Sequence, residues 1–159
     1  MKVLRLFLCV SAFLIVFGIE AANAQAKEKS SLGQVLYVPI YSEIPYGDRG
    51  FTFGLTATLS IRNTDRKSSI TVRSVRYFDS KGKLIRSYVD GPISLSPLAA
   101  QEHIVHESDR SGGISALFIV EWDSNGPVHP PIVEAVMIST QSTQGISFLS
   151  IARVIEERE

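Results

Sequence analysis

"FTFGLTATLSIRNTD", residues 51 to 65, decides the fold class. Phe51, Phe53, Leu55, Ala57, Leu59 and Ile61 recur at every second position, and Thr52, Gly54, Thr56, Thr58, Ser60 and Arg62 fill the gaps. Side chains of an extended chain alternate between two faces, so this stretch has one apolar and one wet face, as in a half-buried β-strand. Its last residues, with "RKSS", are turn formers that end the strand.

The same period continues along the chain. "ITVRSVRYFD" passes through "SKG" into "KLIRSYV", a hairpin bracketed by Asp79 and Gly82. The phase slips between Val72 and Val75, which predicts a bulge near Arg73 and Ser74. Further strands are expected at 35–41, 102–107, 114–122, 132–140 and 145–155. Pro39 places the first at an edge or bulge, because proline cannot donate to a ladder. In "ALFIVEW", Leu117 and Ile119 are apolar on the face opposite Phe118, Val120 and Trp122. That predicts a central strand covered on both sides, or else a contact patch. No segment of helical length has a 3.6 period, although "SPLAAQEH" suits one helical turn and "ARVIEERE" a short terminal helix. About eight short strands between Gly, Pro, Asn, Asp and Ser clusters predict an all-β, immunoglobulin-like antiparallel β-sandwich.

The N-terminus has the layout of a secretory signal peptide: Lys2 and Arg5, then an apolar run from Leu6 to Ile19, then the small residues Ala22 and Ala24. The run is shorter than the roughly 20 residues of a spanning helix. The expected organisation is a signal peptide at 1–24, a flexible lead-in at 25–32, the sandwich domain at 33–155 and a polar tail at 156–159. The product is expected in the periplasm or cell envelope, with no membrane span after cleavage. Cys9 is the only cysteine, so cleavage leaves none for a disulfide, a thiolate nucleophile or a cysteine–metal site. Removing Lys2, Arg5 and Glu20 from the 16 basic and 16 acidic residues leaves 14 and 15. That balance argues against nucleic acid, whose binding domains carry a basic stripe.

Chemistry-bearing residues gather at "HESDRSGG", residues 106 to 113. Ser108 or Ser111 with His106 and Asp109 has the residue types of a serine hydrolase, which needs a base within reach and an oxyanion hole. Against it stand the absence of a Gly-x-Ser-x-Gly elbow and the turn-forming character of Ser108, Asp109, Ser111, Gly112 and Gly113. His103 and His106 would share a face on a helix and suit a metal pair, but on a strand an odd offset splits them, and His129 is remote. Glu121 and Glu134 have the residue type of a glycosidase pair, yet ion pairing with Arg73, Arg76 or Arg153 explains them more simply. "LYVPIYSEIPYGDRGF" supplies Tyr41 and Tyr46, which on a rigid loop make a ligand platform or else pack across an open sandwich end. The low-specificity binding candidates are therefore Ser108, Asp109, Ser111, Gly112, Gly113, Tyr41 and Tyr46. No catalytic residue, metal or cofactor is assigned.

Six stretches in series, "LYVPIYSEI", "LTATLSIRNTD", "YFDSKGKLIRSYV", "SDRSGGISALFIVEW", "PPIVEAVMISTQS" and "QGISFLS", resemble a family of exported bacterial proteins grouped as a domain of unknown function. The resemblance runs from Leu32 to Ile155 and implies one exported β-domain without an assigned activity. The family's histidines are replaced here by Glu43 and Tyr46, which weakens a metal or proton role for that loop. Its Ser-Asp-x-Ser-Gly-Gly run is kept at 108–113. The resulting expectation is a non-enzymatic module that binds a protein or glycan of the cell envelope.

Overall fold

The computed structural model describes residues 29–140 and 145–158; the expected signal peptide lies outside them. The described residues are all β, with twelve strands and no helix. In chain order these are β1 (Ser31–Ile40), β2 (Glu43–Tyr46), β3 (Phe51–Gly54), β4 (Thr56–Arg62), β5 (Ile70–Phe78), β6 (Leu84–Ser87), β7 (Ile93–Leu95), β8 (Ala100–Val105), β9 (Ala116–Val128), β10 (Ile132–Ser139), β11 (Ile146–Ile151) and β12 (Arg153–Arg158). A six-stranded sheet has the order β12-β1-β9-β5-β6, with β7 also on β5; a four-stranded sheet has the order β11-β10-β4-β8; β2 and β3 form a separate ribbon. All pairings are antiparallel, and the sheets do not close into a barrel.

The alternation read from 51–65 sets the packing. Ala57, Leu59 and Ile61 of β4 are buried with Val133, Ala135 and Met137 of β10. They belong to one apolar core with Val38 and Ile40 of β1, Val72, Val75 and Tyr77 of β5, and Phe118, Val120 and Trp122 of β9. Burying a large apolar side chain contributes about 1.5–3 kcal/mol, and this shared core holds the two main sheets together.

Four expectations need correction or sharpening. There are twelve strands rather than about eight, because 51–62 breaks at Leu55 into β3 and β4, the expected strand at 145–155 breaks at Ala152 into β11 and β12, and the short β2 and β7 carry weak patterns. Among the described residues "ARVIEERE" forms no helix: Arg153–Arg158 is β12, whose register places Glu156, Glu157 and Arg158 opposite Val35, Gln34 and Gly33, so residues 156–158 of the expected polar tail are ladder. "SPLAAQEH" forms no helical turn either, and its second half opens β8. Finally, β1 lies inside its sheet between β12 and β9, and its register shifts fall at Ser31/Gly33 and Val35/Leu36, although Pro39 suggested an edge or a bulge at its own position. The proline is tolerated because the β12 ladder ends at Tyr37, which leaves Pro39 paired only with Leu117 of β9. The bulge in β5 is where the phase slip put it, with register shifting between Val72 and Ser74. Arg73, the extra residue, bonds Asp123 at 2.7 Å.

β9 is central, flanked by β1 and β5. Its second apolar face is only half-buried: Leu117 lies between Pro39 and Phe78, and Ile119 between Tyr37 and Arg76, so neighbours in the same sheet shield it from the sides.

Candidate functional site

The 106–113 loop connects β8 of one sheet to β9 of the other, and backbone hydrogen bonds set its shape. The Asp109 N–H donates to the His106 carbonyl at 2.8 Å, and the Gly113 N–H to the Arg110 carbonyl at 3.1 Å. Asp109 organises the middle: its Oδ1 accepts from the Ser111 N–H at 3.1 Å and from the Ser111 hydroxyl at 2.5 Å. Its other oxygen is held by Arg86, which arrives from β6 and stands over the rings of Tyr77 and Tyr88.

The two glycines have different reasons to be there. Gly112 is buried, and a Cβ on it would lie 2.1 Å from the Tyr77 hydroxyl and 2.6 Å from the Ala116 Cβ. Gly113 has room for a side chain but adopts φ 72°, a left-handed conformation that glycine reaches without strain. Their carbonyls tie the loop down, Gly112 accepting from the Ser80 N–H at 3.1 Å and Gly113 from the Ser42 N–H at 3.2 Å and hydroxyl at 2.9 Å. Beneath the loop, burial pushes the Tyr77 phenol above its ordinary pKa, while its neighbours Ser42 and Ser111 pull the other way. No hydrogen bond of standard geometry reaches the Tyr77 hydroxyl.

The catalytic residue types therefore meet only in part. Ser111 touches Asp109, and Asp109 is engaged by Arg86, so the carboxylate orients no histidine. Among the described contacts the His106 side chain makes no hydrogen bond to either residue. Instead His106 lines an open hollow of about 500 Å³ with Thr56, Glu107, Ser108 and Arg110. Arg110 also reaches the β2–β3 ribbon, 3.7 Å from the Glu43 carboxylate and 3.4 Å from the Thr52 hydroxyl.

The other candidates are dispersed. His103 is buried on β8 with its ring 5.4 Å from that of Tyr88, and burial lowers its pKa; His106, three residues on, is exposed. Among the described residues no three His, Cys, Asp or Glu side chains gather in a metal-binding group. Glu134 pairs with Arg62 at 2.6 Å, and Glu121 pairs with Arg76 and, at 3.2 Å, with Arg158, so the two glutamates serve ion pairs in different sheets. Tyr41 packs edge-on against Phe148 at 5.6 Å. Tyr46 stacks on Phe53 at 4.0 Å and on Phe51 at 5.6 Å, so these rings cover one another rather than forming one flat platform.

Sequence reasoning missed Arg86, Ser42 and Tyr77, which clamp the loop. They lie tens of residues away, and nothing in their local patterns marks them. Arg110 lies inside the 106–113 motif, but its partners Glu43 and Thr52 are more than fifty positions away.

The family match now has a structural setting. The chain belongs to the DUF3124 family. Its description is a protein of unknown function, and the match covers residues 33–155. No curated protein matches the chain. A solved structure that matches the chain is titled "Crystal Structure of Thermotoga maritima 1070"; it is 15% identical, with a TM-score of 0.46 over 79% of this chain and 97% of that one. At that distance no residue role is carried across.

Proposed function

We propose that this member of the family is an exported, non-enzymatic binding module that recognises a protein or glycan of the cell envelope through the end of the molecule formed by the 106–113 loop. The observation that carries this reading is the closed hydrogen bonding of the loop. Asp109 is shared between Arg86 and Ser111, whereas a serine nucleophile needs a base oriented by a third group. What the loop offers outward is a hollow with one histidine, one serine, one glutamate and one arginine. Such polar groups on a rigid frame suit recognition.

An immunoglobulin-like sandwich is the matching architecture. Its supporting feature is the Greek-key quartet: β4 and β8 pair in one sheet while β5 and β9 pair in the other, as strands B and E and strands C and F do in that fold.

The test is a comparison of wild-type and Arg110→Ala protein, each immobilised and offered envelope extract. A specific protein or glycan retained by the wild type and lost in the variant supports the proposal; no specific ligand counts against it. Labelling of the wild type by a fluorophosphonate, lost in Ser111→Ala, would overturn the non-enzymatic reading. Export is tested separately, since the N-terminal sequence of the secreted product should begin at Gln25.

A further inference from the structure

β11 and β12 are two halves of one bent edge strand. β11 pairs with β10 in the four-stranded sheet, Ala152 donates its N–H to the Val133 carbonyl at 3.0 Å, and β12 then pairs with β1 in the other sheet. β11 is fixed from the inside: the Ser150 hydroxyl bonds the Pro39 carbonyl, and Phe148 packs on Tyr41. Its outer rim has no described strand beside it.

Unpaired sheet edges invite further strands, and proteins guard them with charge, proline, brevity or a cover. The other edges of the two main sheets are guarded. β12 carries Arg153, Glu156, Glu157 and Arg158; β6 is four residues with Arg86; β7 is three residues. β8 carries Glu102, and its Ile104 carbonyl accepts from the Tyr88 hydroxyl at 3.1 Å. β11, "ISFLSI", is six residues with no charge and no proline. On its solvent face Leu149, opposite Val136, is 51% and Ile151, opposite Glu134, is 70% exposed; Ile138 of β10, opposite Ser147, is 43% exposed.

We infer that the free edge of β11 is the interface between two copies of this chain, joined by antiparallel β11–β11 pairing into one eight-stranded sheet. A second copy is the occupant because the strand is complementary to itself. With a two-fold axis perpendicular to the sheet and midway between the two copies of Leu149, Leu149 faces its own copy, Ser147 faces Ile151, and Phe148 faces Ser150. Each flanking pair sets a small side chain against a large one, and no like charges, which would destabilise a cross-strand pair, meet. Ile151 of one copy then lies over Ser147 of the other, next to Ile138, the residue paired with Ser147. Five paired residues, Ser147 to Ile151, at about 3.3 Å each make a seam of about 17 Å. That is a small interface beside the roughly 800 Å² per partner of standard complexes, so the dimer is reversible.

Sedimentation velocity of the full chain over a concentration series tests this. The expected result is a concentration-dependent doubling of mass for the wild type and a monomer for Leu149→Lys with unchanged circular dichroism. In a Cys9→Ser background, Leu149→Cys is expected to form a disulfide-linked dimer on mild oxidation, because directly opposed Cα atoms lie within disulfide range. Val154→Cys, on the adjoining β12, is the control and should not. A wild type that stays monomeric, a dimer that survives Leu149→Lys, or crosslinking through Val154→Cys in place of Leu149→Cys would each overturn the inference. Ile104→Lys, at the far side of the same sheet, should leave the dimer intact; its loss there would mean that the sheets pack face to face instead.

Discussion

At the scale of single residues, the two adjacent glycines of the loop illustrate two separate constraints. Gly112→Ala forces a methyl into the Tyr77 hydroxyl and the Ala116 side chain. It should cost about 2–3 kcal/mol as overpacking, read from denaturant unfolding. Gly113→Ala meets no such atoms but must hold φ 72°, a cost of about 1–2 kcal/mol, so the first variant should be the less stable. Asn63 is a second such residue. It is buried, its amide donates to the Ser68, Leu95 and Ser96 carbonyls at 2.9, 3.1 and 3.0 Å, and its own oxygen accepts from the Asp65 N–H. Asn63→Ala strands those carbonyls and should cost on the order of 2–4 kcal/mol. His103 sets a pH dependence. Burial depresses its folded pKa, so above about pH 6.5 the imidazole is neutral in both folded and unfolded chains. As pH falls below that, the unfolded chain takes up a proton that the folded chain resists, and stability declines until the folded pKa is passed. Thermal melts from pH 7.5 to 5 should show this decline, and His103→Leu should flatten it; parallel curves for the two proteins would exclude His103 as the cause. The motif at 106–113 and its turn character were readable in the sequence, but the contact that makes Gly112 obligatory was not, since Tyr77 is 35 positions away.

At the scale of elements, period-2 patterning located the strands with one clear apolar face, and failed where burial is partial. β12 has five of its six residues exposed, so it has no apolar stripe to read, and its good helix formers Glu and Arg suggested a terminal helix. The ladder with β1 overrode that local preference. The loop between β8 and β9 shows the same dependence on distant partners. Arg86→Ala removes the clamp on Asp109 and the cation over Tyr77 and Tyr88. Because Arg86 is 45% exposed and Asp109 20%, the pair is partly screened by solvent, and global stability should change by about 1 kcal/mol. Amide exchange at 108–113 should nevertheless accelerate, and exchange rates equal to wild type would show that the turn holds itself without Arg86.

At the scale of the whole molecule, residues 146–158 complete both sheets, half of the segment in each. A chain ending at Thr140 loses the strand beside β10 and the strand beside β1 at once, and uncovers Leu36, Val133 and their neighbours. It should lack a cooperative unfolding transition, whereas trimming only Glu159 should leave the transition in place. The sequence by itself determined the all-β class, the bulge in β5, the central position of 116–122 and the turn chemistry of the loop, because each depends on patterns a few residues long that alternation and turn propensity control. Which strands share a sheet, how one edge strand serves two sheets, and whether His106, Asp109 and Ser111 converge were decided only by the tertiary structure. Those outcomes rest on contacts between residues tens of positions apart, such as Arg86 with Asp109 and Gly112 with Tyr77, and no local pattern encodes such a pairing.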